Sequence, residues 1–264
     1  MPIPPFAAII TASGSSERFN RGRDEKVKKE FLSIDGHTVL YRATEPFFEV
    51  PGLSMVVITH PKGAEDETAV ALEDLMNIGT VPFIFVEGGD TRKESVRNAL
   101  NAIRESMFPV EFVAIHDGAR PFITPDMIIR TFAAATVVGG AAPATRITDA
   151  VKRLGENGLV EESVDKASLI SVQTPQIFSK ENLLEAYDES AGVTADDDIS
   201  VYVDAGFPCT VVQGSPENRK ITYFSDIPDA ESQIESYIKA REEGRTSRRA
   251  VTRMRELMHE RAEG

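Results

Sequence analysis

Residues 6–19 read FAAIITASGSSERF, an apolar run of strand length that passes directly into a string of small residues. A run this short, bounded by turn-prone residues, reads as a buried strand rather than a helix. The residues after it, Thr11-Ala12-Ser13-Gly14-Ser15-Ser16, let backbone amides come close to a phosphate or a base because few side chains intervene. A tight strand-to-helix turn uses the same residues, so the loop alone names no ligand. The patterns GxxxxGK[ST] and GxGxxG are absent, which removes the Walker and dinucleotide-fingerprint readings.

Outward from this stretch the same alternation recurs. VLYRATEPFF (39–48) is the first helical pattern; LSMVVITH (53–60) precedes AVALEDLMNI (69–78), VPFIFVEGG (81–89) precedes KESVRNALNAIRESM (93–107), and EFVAIHDGARPF (111–122) precedes PDMIIRTFAAATVV (125–138). Short β-rich runs alternating with helices predict an α/β, Rossmann-like fold, a mostly parallel central sheet covered by helices on both faces. Ligands in such sheets bind beyond the carboxyl ends of the strands. TASGSSERF, EGGDTRKES and HDGARPF all fall there.

Beyond Val138 the pattern changes. Residues from about 146 to 173 read as a polar excursion, with ITDAVKRL and GLVEESVD separated by the turn-prone GENG as a hairpin. KENLLEAYDES and DDDISVYVDAG read as helices, FPCTVVQG as a strand, and a helix is expected from Ser225 to about Ala240 with Ser225 as N-cap. Residues 1–240 form one expected domain, and 241–264, with Val251, Met254, Leu257 and Met258 at helical spacing, read as a charged helix or a disordered tail.

Composition excludes several classes. A chain of 264 residues with 41% hydrophobic content can bury one sizeable core. No stretch approaches the roughly 18 to 20 apolar residues of a membrane span, and the N-terminus lacks a signal-peptide pattern, so the cytoplasm is expected. Cys209 is the only cysteine, which leaves no internal disulfide and no multi-cysteine metal site; it reads as a buried strand residue without a catalytic role. The net charge of −13 argues against a nucleic-acid polymer as partner. Locally, however, Arg18, Arg21, Arg23, Lys26, Lys28 and Lys29 face only Asp24 and Glu25, a cation patch suited to a small polyanion; a solvated charged loop is the plainer reading of such a run.

The chemistry-bearing residues follow. Gly88, Gly89 and Asp90 precede a helix whose early residues include Ser95, so free amides there can meet an anion or a base edge, although a Gly turn capped by Asp90 or Thr91 explains the same residues. Asp117 ends an apolar strand, poorly placed for packing and well placed to hold a metal. Arg120 is placed either for a phosphate or for a structural pair with a carboxylate. Phosphoryl and nucleotidyl transfer need charge neutralisation and in-line positioning more than covalent help. Lysines and arginines for the phosphates, Asp117 and Glu217 for Mg²⁺, and a strand-borne Lys220 meet that need.

In order along the chain, ASGSSERF, KKEFL, GGDTRKESV, HDGARPF, DAVKR, QTPQIF, DDDIS and ENRKIT resemble the 2-C-methyl-D-erythritol 4-phosphate cytidylyltransferases of the non-mevalonate isoprenoid pathway. The resemblance spans about Ala7 to Glu231 and implies a Rossmann-like homodimer with a protruding β-arm, using CTP and Mg²⁺ and a polyol phosphate acceptor and releasing pyrophosphate. It implies Arg18, Lys29 and Lys220 as catalytic residues. Ala12, Ser13, Gly14, Gly89, Asp90, Ser95, Asp117, Gly118 and Arg120 match the nucleotide side, and Asp117 and Glu217 the metal-binding positions. Asp149, Lys166 and Thr174 match the acceptor side, where the arm of one subunit reaches the other's site. Lys28 replaces the family's proline, Ala150 a threonine, Lys166 an arginine, Asp196 a threonine, and Ser13 and Gly118 alanines. A cytidylyltransferase for ribitol 5-phosphate and a catalytically lapsed nucleotide-binding protein are the rival readings.

Overall fold

In the computed structural model, which describes residues 2–24, 26–190 and 195–242, the opening apolar run is strand β1 (Phe6–Thr11). A 3-10 turn (Lys29–Phe31), the short strands β2 (Ser33–Ile34) and β3 (His37–Thr38), and helix α1 (Val39–Thr44) carry the chain to β4 (Leu53–His60). Helices α2 (Glu65–Val70) and α3 (Glu73–Ile78) lead to β5 (Phe83–Glu87), α4 (Arg92–Glu105) to β6 (Phe112–Asp117), and α5 (Pro125–Val138) to β7 (Gly140–Arg146). The hairpin of β8 (Val151–Leu154) and β9 (Val160–Val164) follows, then β10 (Ile170–Val172), β11 (Gln176–Ser179), α6 (Lys180–Glu189), α7 (Asp198–Asp204), β12 (Thr210–Gln213) and α8 (Ala230–Glu242).

The main sheet runs β10-β7-β11-β6-β1-β4-β5, with β12 added beside β7. β1, β4, β5 and β6 are mutually parallel, while β10 and β11 run against their neighbours. Side chains alternate between two cores. Phe6, Ala8 and Ile10 of β1 join Val56, Ile58 and Ala114 beneath α1 and α5, whereas Ala7 and Ile9 join Met55, Val57, Val113 and Ile115 against α4, α6 and α7. Strands buried on both faces must be apolar throughout, which is why they read as continuous runs rather than alternating ones. β1 has β4 on one side and β6 on the other, so the chain reverses its direction of travel across the sheet between β1 and β6. That reversal opens a crevice at the carboxyl ends, where Thr11 and Asp117 are register partners.

Several expectations are corrected. The helix expected over 69–78 starts earlier and divides into α2 and α3, because the Thr38 hydroxyl donates to the Ala71 carbonyl at 2.8 Å and the buried Leu72 turns into the core. The helix over 39–48 ends at Thr44 and tightens into a 3-10 turn, Glu45–Glu49, as Pro46 has no N–H to continue it. Ser225 caps nothing. Asp226 instead accepts from the amides of Thr222 and Tyr223 at 2.7 and 2.8 Å in a 3-10 turn, and α8 begins only at Ala230. Strands β7 and β11 were not anticipated, and the excursion is shorter than 146–173 because β10 returns to the sheet edge beside β7. Cys209 is half-buried and precedes β12 rather than lying in it; burial pushes its thiol up to about 11. Residues 243–264 of the expected tail lie outside the described residues. Among the described residues no helix is long and apolar enough to cross a membrane.

Candidate active site

The loop after β1 folds back over its own strand end. Phe19 and Val27 are buried with Leu32, Ile34, Val39, Ile221, Ile227, Ala230 and Ile234, a third apolar cluster that pins the loop from below. Asn20 ties it from within: its side-chain amide donates to the carbonyls of Ser16 and Val27 at 3.0 and 2.9 Å and its oxygen accepts from Val27 N at 3.1 Å. This anchoring presents Ser13 to Arg18 to a cleft of about 810 Å³. The 3-10 turn beyond the loop then aims Lys29, 8% exposed, into the same cleft, where its ammonium donates to the Ile221 carbonyl at 2.6 Å. Burial lowers the proton affinity of Lys29; Glu30 opposes that, and the nearby charges of Lys220 and Arg18 reinforce it. Lys28 also lines the cleft and donates to the Gly14 carbonyl. Glu30 lies between these lysines, its carboxyl raised by burial against their pull and bonded by the Ser16 hydroxyl at 3.3 Å.

The opposite wall is the turn from β5 into α4. Thr91 caps α4 in a reciprocal box with Glu94, at 3.1 and 3.0 Å. The Ser13 hydroxyl donates to Ser95 Oγ at 2.9 Å, and Ser95 Oγ in turn accepts from Gly89 N at 3.1 Å, so two loops close on one hydroxyl pair. A Cβ on Gly88 would lie 2.3 Å from Ser13 Cβ, and one on Gly89 2.4 Å from Glu94 Cβ. Gly88→Ala must therefore push the loops apart. We expect it to cost about 1–3 kcal/mol of stability, which chemical denaturation will measure.

Asp117 closes the floor. Its Oδ2 lies 2.9 Å from Lys220 Nζ and 3.3 Å from Arg120 Nε, and its Oδ1 3.6 Å from Arg92 Nε. Burial alone would push this carboxyl up, but Lys220, Arg92 and Arg120 outweigh it and hold it well below the usual carboxylate range. Behind it, Thr174 Oγ accepts from Asp117 N at 3.1 Å and donates to His116 Nδ1 at 2.9 Å, which leaves His116 Nε2–H to donate to the Arg120 carbonyl at 3.1 Å. His116 is fully buried, and burial lowers its pKa from 6.5 to about 4. The unfolded chain thus binds the extra proton between those values, so stability rises with pH there. The contribution is complete above 6.5 and is lost as pH falls towards 4. Unfolding measured from pH 7 to pH 4 should show about 3 kcal/mol from this group, and His116→Gln should remove that part of the slope.

Of the residues singled out in the sequence, Ser13, Gly14, Arg18, Lys29, Gly89, Asp90, Ser95, Asp117 and Lys220 line one cleft. Ala12 lies beneath it with its N–H on Thr59, and Gly118 is packed where a Cβ would stand 3.0 Å from Thr11 O and Leu40 Cδ1. Arg120 faces Asp117 and the Asn218 carbonyl, the structural pair rather than a free phosphate ligand. Thr174 is buried and committed to His116 and Asp117. Glu217 is exposed and outside the cleft lining, and Lys220 stands on an irregular segment, not a strand. Asp149 and Lys166 are exposed and outside the cleft lining, Lys166 donating to the Thr148 carbonyl. Arg92 and Thr222 also line the cleft; both fall within the quoted TRKES and ENRKIT motifs, which is the signal the sequence offers for them.

A deep, cation-lined cleft at the crevice between β1 and β6, walled by a small-residue loop and a helix N-terminus, is the site of a nucleotidyltransferase. The chain belongs to the family described as IspD: 2-C-methyl-D-erythritol 4-phosphate cytidylyltransferase, which it matches over residues 6–236. It is 39% identical over 226 residues, 85% of this chain and 95% of the relative, to the 2-C-methyl-D-erythritol 4-phosphate cytidylyltransferase of Cereibacter sphaeroides. To that of Clostridium novyi it is 32% identical over 87% of this chain and 96% of the relative. Among solved structures, 2-C-methyl-D-erythritol 4-phosphate cytidylyltransferase from Thermus thermophilus superposes with a TM-score of 0.67 at 28% identity, covering 86% of this chain and 98% of that one. The 4-diphosphocytidyl-2C-methyl-D-erythritol synthase of Anaerococcus prevotii gives 0.70 at 25% identity, covering 88% and 99%. The chain is thus a cytidylyltransferase, and the α/β fold read from its strand runs is that of its relatives.

Proposed function

We propose that the protein transfers the cytidylyl group of CTP to 2-C-methyl-D-erythritol 4-phosphate, releasing pyrophosphate. The observation that carries this reading is the convergence of Lys29, Lys220 and an ionised Asp117 on one cleft walled by the Ser13–Ser95 hydroxyl pair. An acceptor phosphate oxygen forms the new bond to the α-phosphorus while the bond from that phosphorus to the bridging β-phosphate oxygen breaks. The nucleophile is already anionic, so no strong general base is needed. Negative charge grows on the departing pyrophosphate, and Arg18 and Lys29 stabilise it there. Lys220 serves the reacting phosphates, and Gly89, Asp90 and Ser95 line the space for cytidine.

Asp117 suits Mg²⁺. It is held as an anion, its Oδ2 is occupied by Lys220 and Arg120, and among the described residues its Oδ1 has only the long contact to Arg92. Magnesium is commonly held by one or two carboxylates together with substrate phosphates, which fits a single well-formed carboxylate better than a protein cage. When bound, the ion supplies charge neutralisation at the phosphates. Glu217 joins only if its segment moves inward.

The acceptor side is completed in a homodimer, in our reading. Lys166 and Asp149 are exposed outside this cleft, and the hairpin of β8 and β9 carries exposed Leu154, Leu159 and Val160, apolar side chains suited to a partner surface. Sedimentation at working concentration tests the dimer. We also read the enzyme as cytoplasmic.

Pyrophosphate release with Mg²⁺, each of the four nucleoside triphosphates and a panel of polyol phosphates tests the function. Release from CTP with 2-C-methyl-D-erythritol 4-phosphate is expected. Release with ribitol 5-phosphate alone would overturn the acceptor, and no release with any pair would overturn the catalytic reading.

A further inference from the structure

The cleft residue Arg92 is held from behind. It is the first residue of α4, and its Nη2 lies 2.7 Å from Asp198 Oδ2 while its Nε lies 3.6 Å from Asp117 Oδ1. Asp198, at the start of α7, is 0% exposed. Its other oxygen accepts from the Tyr187 hydroxyl at 2.5 Å. Its backbone amide and that of Ile199 both donate to Gln176 Oε1 at 3.0 Å, and Gln176 Nε2 donates to Asp197, the residue that caps α7. Gln176 lies two positions beyond Thr174, whose hydroxyl holds the Asp117 amide. The QTPQ and DDDIS segments therefore meet behind Asp117.

A buried ion pair is a poor stability device, since desolvation offsets its attraction and apolar replacements often do as well. What Asp198 supplies is direction. Without its carboxylate, the Arg92 guanidinium has one anion left to pair with, and closing the 3.6 Å gap would occupy Asp117 Oδ1, the oxygen that Lys220 and Arg120 leave open. We propose that Asp198 is a positioning residue for nucleotidyl transfer: it holds Arg92 back from Asp117 Oδ1 and keeps that oxygen available to the substrate side. This rests on Asp117 working in the reaction as read above.

The test is steady-state pyrophosphate release by Asp198→Asn, a near-isosteric change at a residue that never reaches substrate. Loss of an outer-layer partner of this kind costs about 10- to 100-fold, and it should fall on kcat. KM for CTP should stay within about threefold, because Ser13, Lys29, Gly89 and Ser95 are untouched. Asp198→Glu, which keeps the carboxylate, should recover most of kcat. Tyr187→Phe, which frees one Asp198 oxygen, should lower kcat by about threefold at unchanged KM, and it decides the matter if Asp198→Asn does not fold. An unchanged kcat in a folded Asp198→Asn or in Tyr187→Phe overturns the proposal. So does a parallel loss of kcat and CTP affinity that Asp198→Glu fails to relieve, the mark of a packing role. An inactive parent protein would instead overturn the function itself.

Discussion

Lys29→Ala is expected to lower kcat/KM by about 100- to 1,000-fold, some 3 to 4 kcal/mol of transition-state stabilisation, in a protein that still folds. The size follows from where the ammonium stands. It is almost wholly removed from water and lies in the cleft with Arg18 and Lys220, and burial, against the pull of Glu30 and with the push of those cations, lowers its proton affinity. A donor fixed in a water-poor site costs no reorganisation when charge develops on a departing pyrophosphate. The fold should tolerate the change because the hydrogen bond given up, to the buried Ile221 carbonyl, leaves a single neutral acceptor unpaired, a cost of about 1–3 kcal/mol. Pyrophosphate release and a thermal melt measure the two halves. Activity equal to the parent's would show that the neighbouring Lys28 carries the role.

Asp117→Asn should act on both halves at once. The anion that Lys220 and Arg120 share disappears, leaving two cations that Asn cannot neutralise, while Arg92 keeps Asp198. Breaking a buried pair from one side costs about 3–5 kcal/mol; the half-exposed Lys220 can turn to water, so about 3 kcal/mol is expected, or a midpoint lower by about 5–10 °C. Activity should fall by at least about 1,000-fold, since both the orientation of Lys220 and the carboxylate suited to Mg²⁺ are lost. The folded-state pKa of Asp117 is depressed, so its stabilisation is complete above the unfolded carboxyl pKa and is withdrawn only as pH falls below it. The gap between parent and variant should therefore be flat from about pH 5 to pH 8.

Fully buried parallel strands announce themselves, and FAAIIT, LSMVVITH and FVAIHD were read as such with their ends in the right place. β7 was not, since GAAPATR has little β-propensity and contains a proline. Its small residues answer to packing instead: a Cβ on Gly140 would stand 2.9 Å from the Tyr202 ring and 3.0 Å from that of Phe178. The site divides in the same way. Ser13, Lys29 and Asp117 are local to their motifs, whereas the setting of Arg92 depends on Asp198, 106 residues further on, which no local pattern reveals. Motif residues such as Ala12, Gly118 and Arg120 serve the shape of the cleft more than its lining, because a wall has to be built before it can be faced.

The apolar cluster beneath the loop joins Phe19 and Val27 to Ile227, Ala230 and Ile234. A chain emerging from the ribosome makes β1 and this loop long before it makes α8. The segment bearing Lys29 packs on Leu32, Ile34 and Val39 from its own neighbourhood, but the rest of its support, Ile221, Ile227, Ala230 and Ile234, is made much later. The loop that walls the cleft is therefore fully supported only once two stretches far apart in the chain have met.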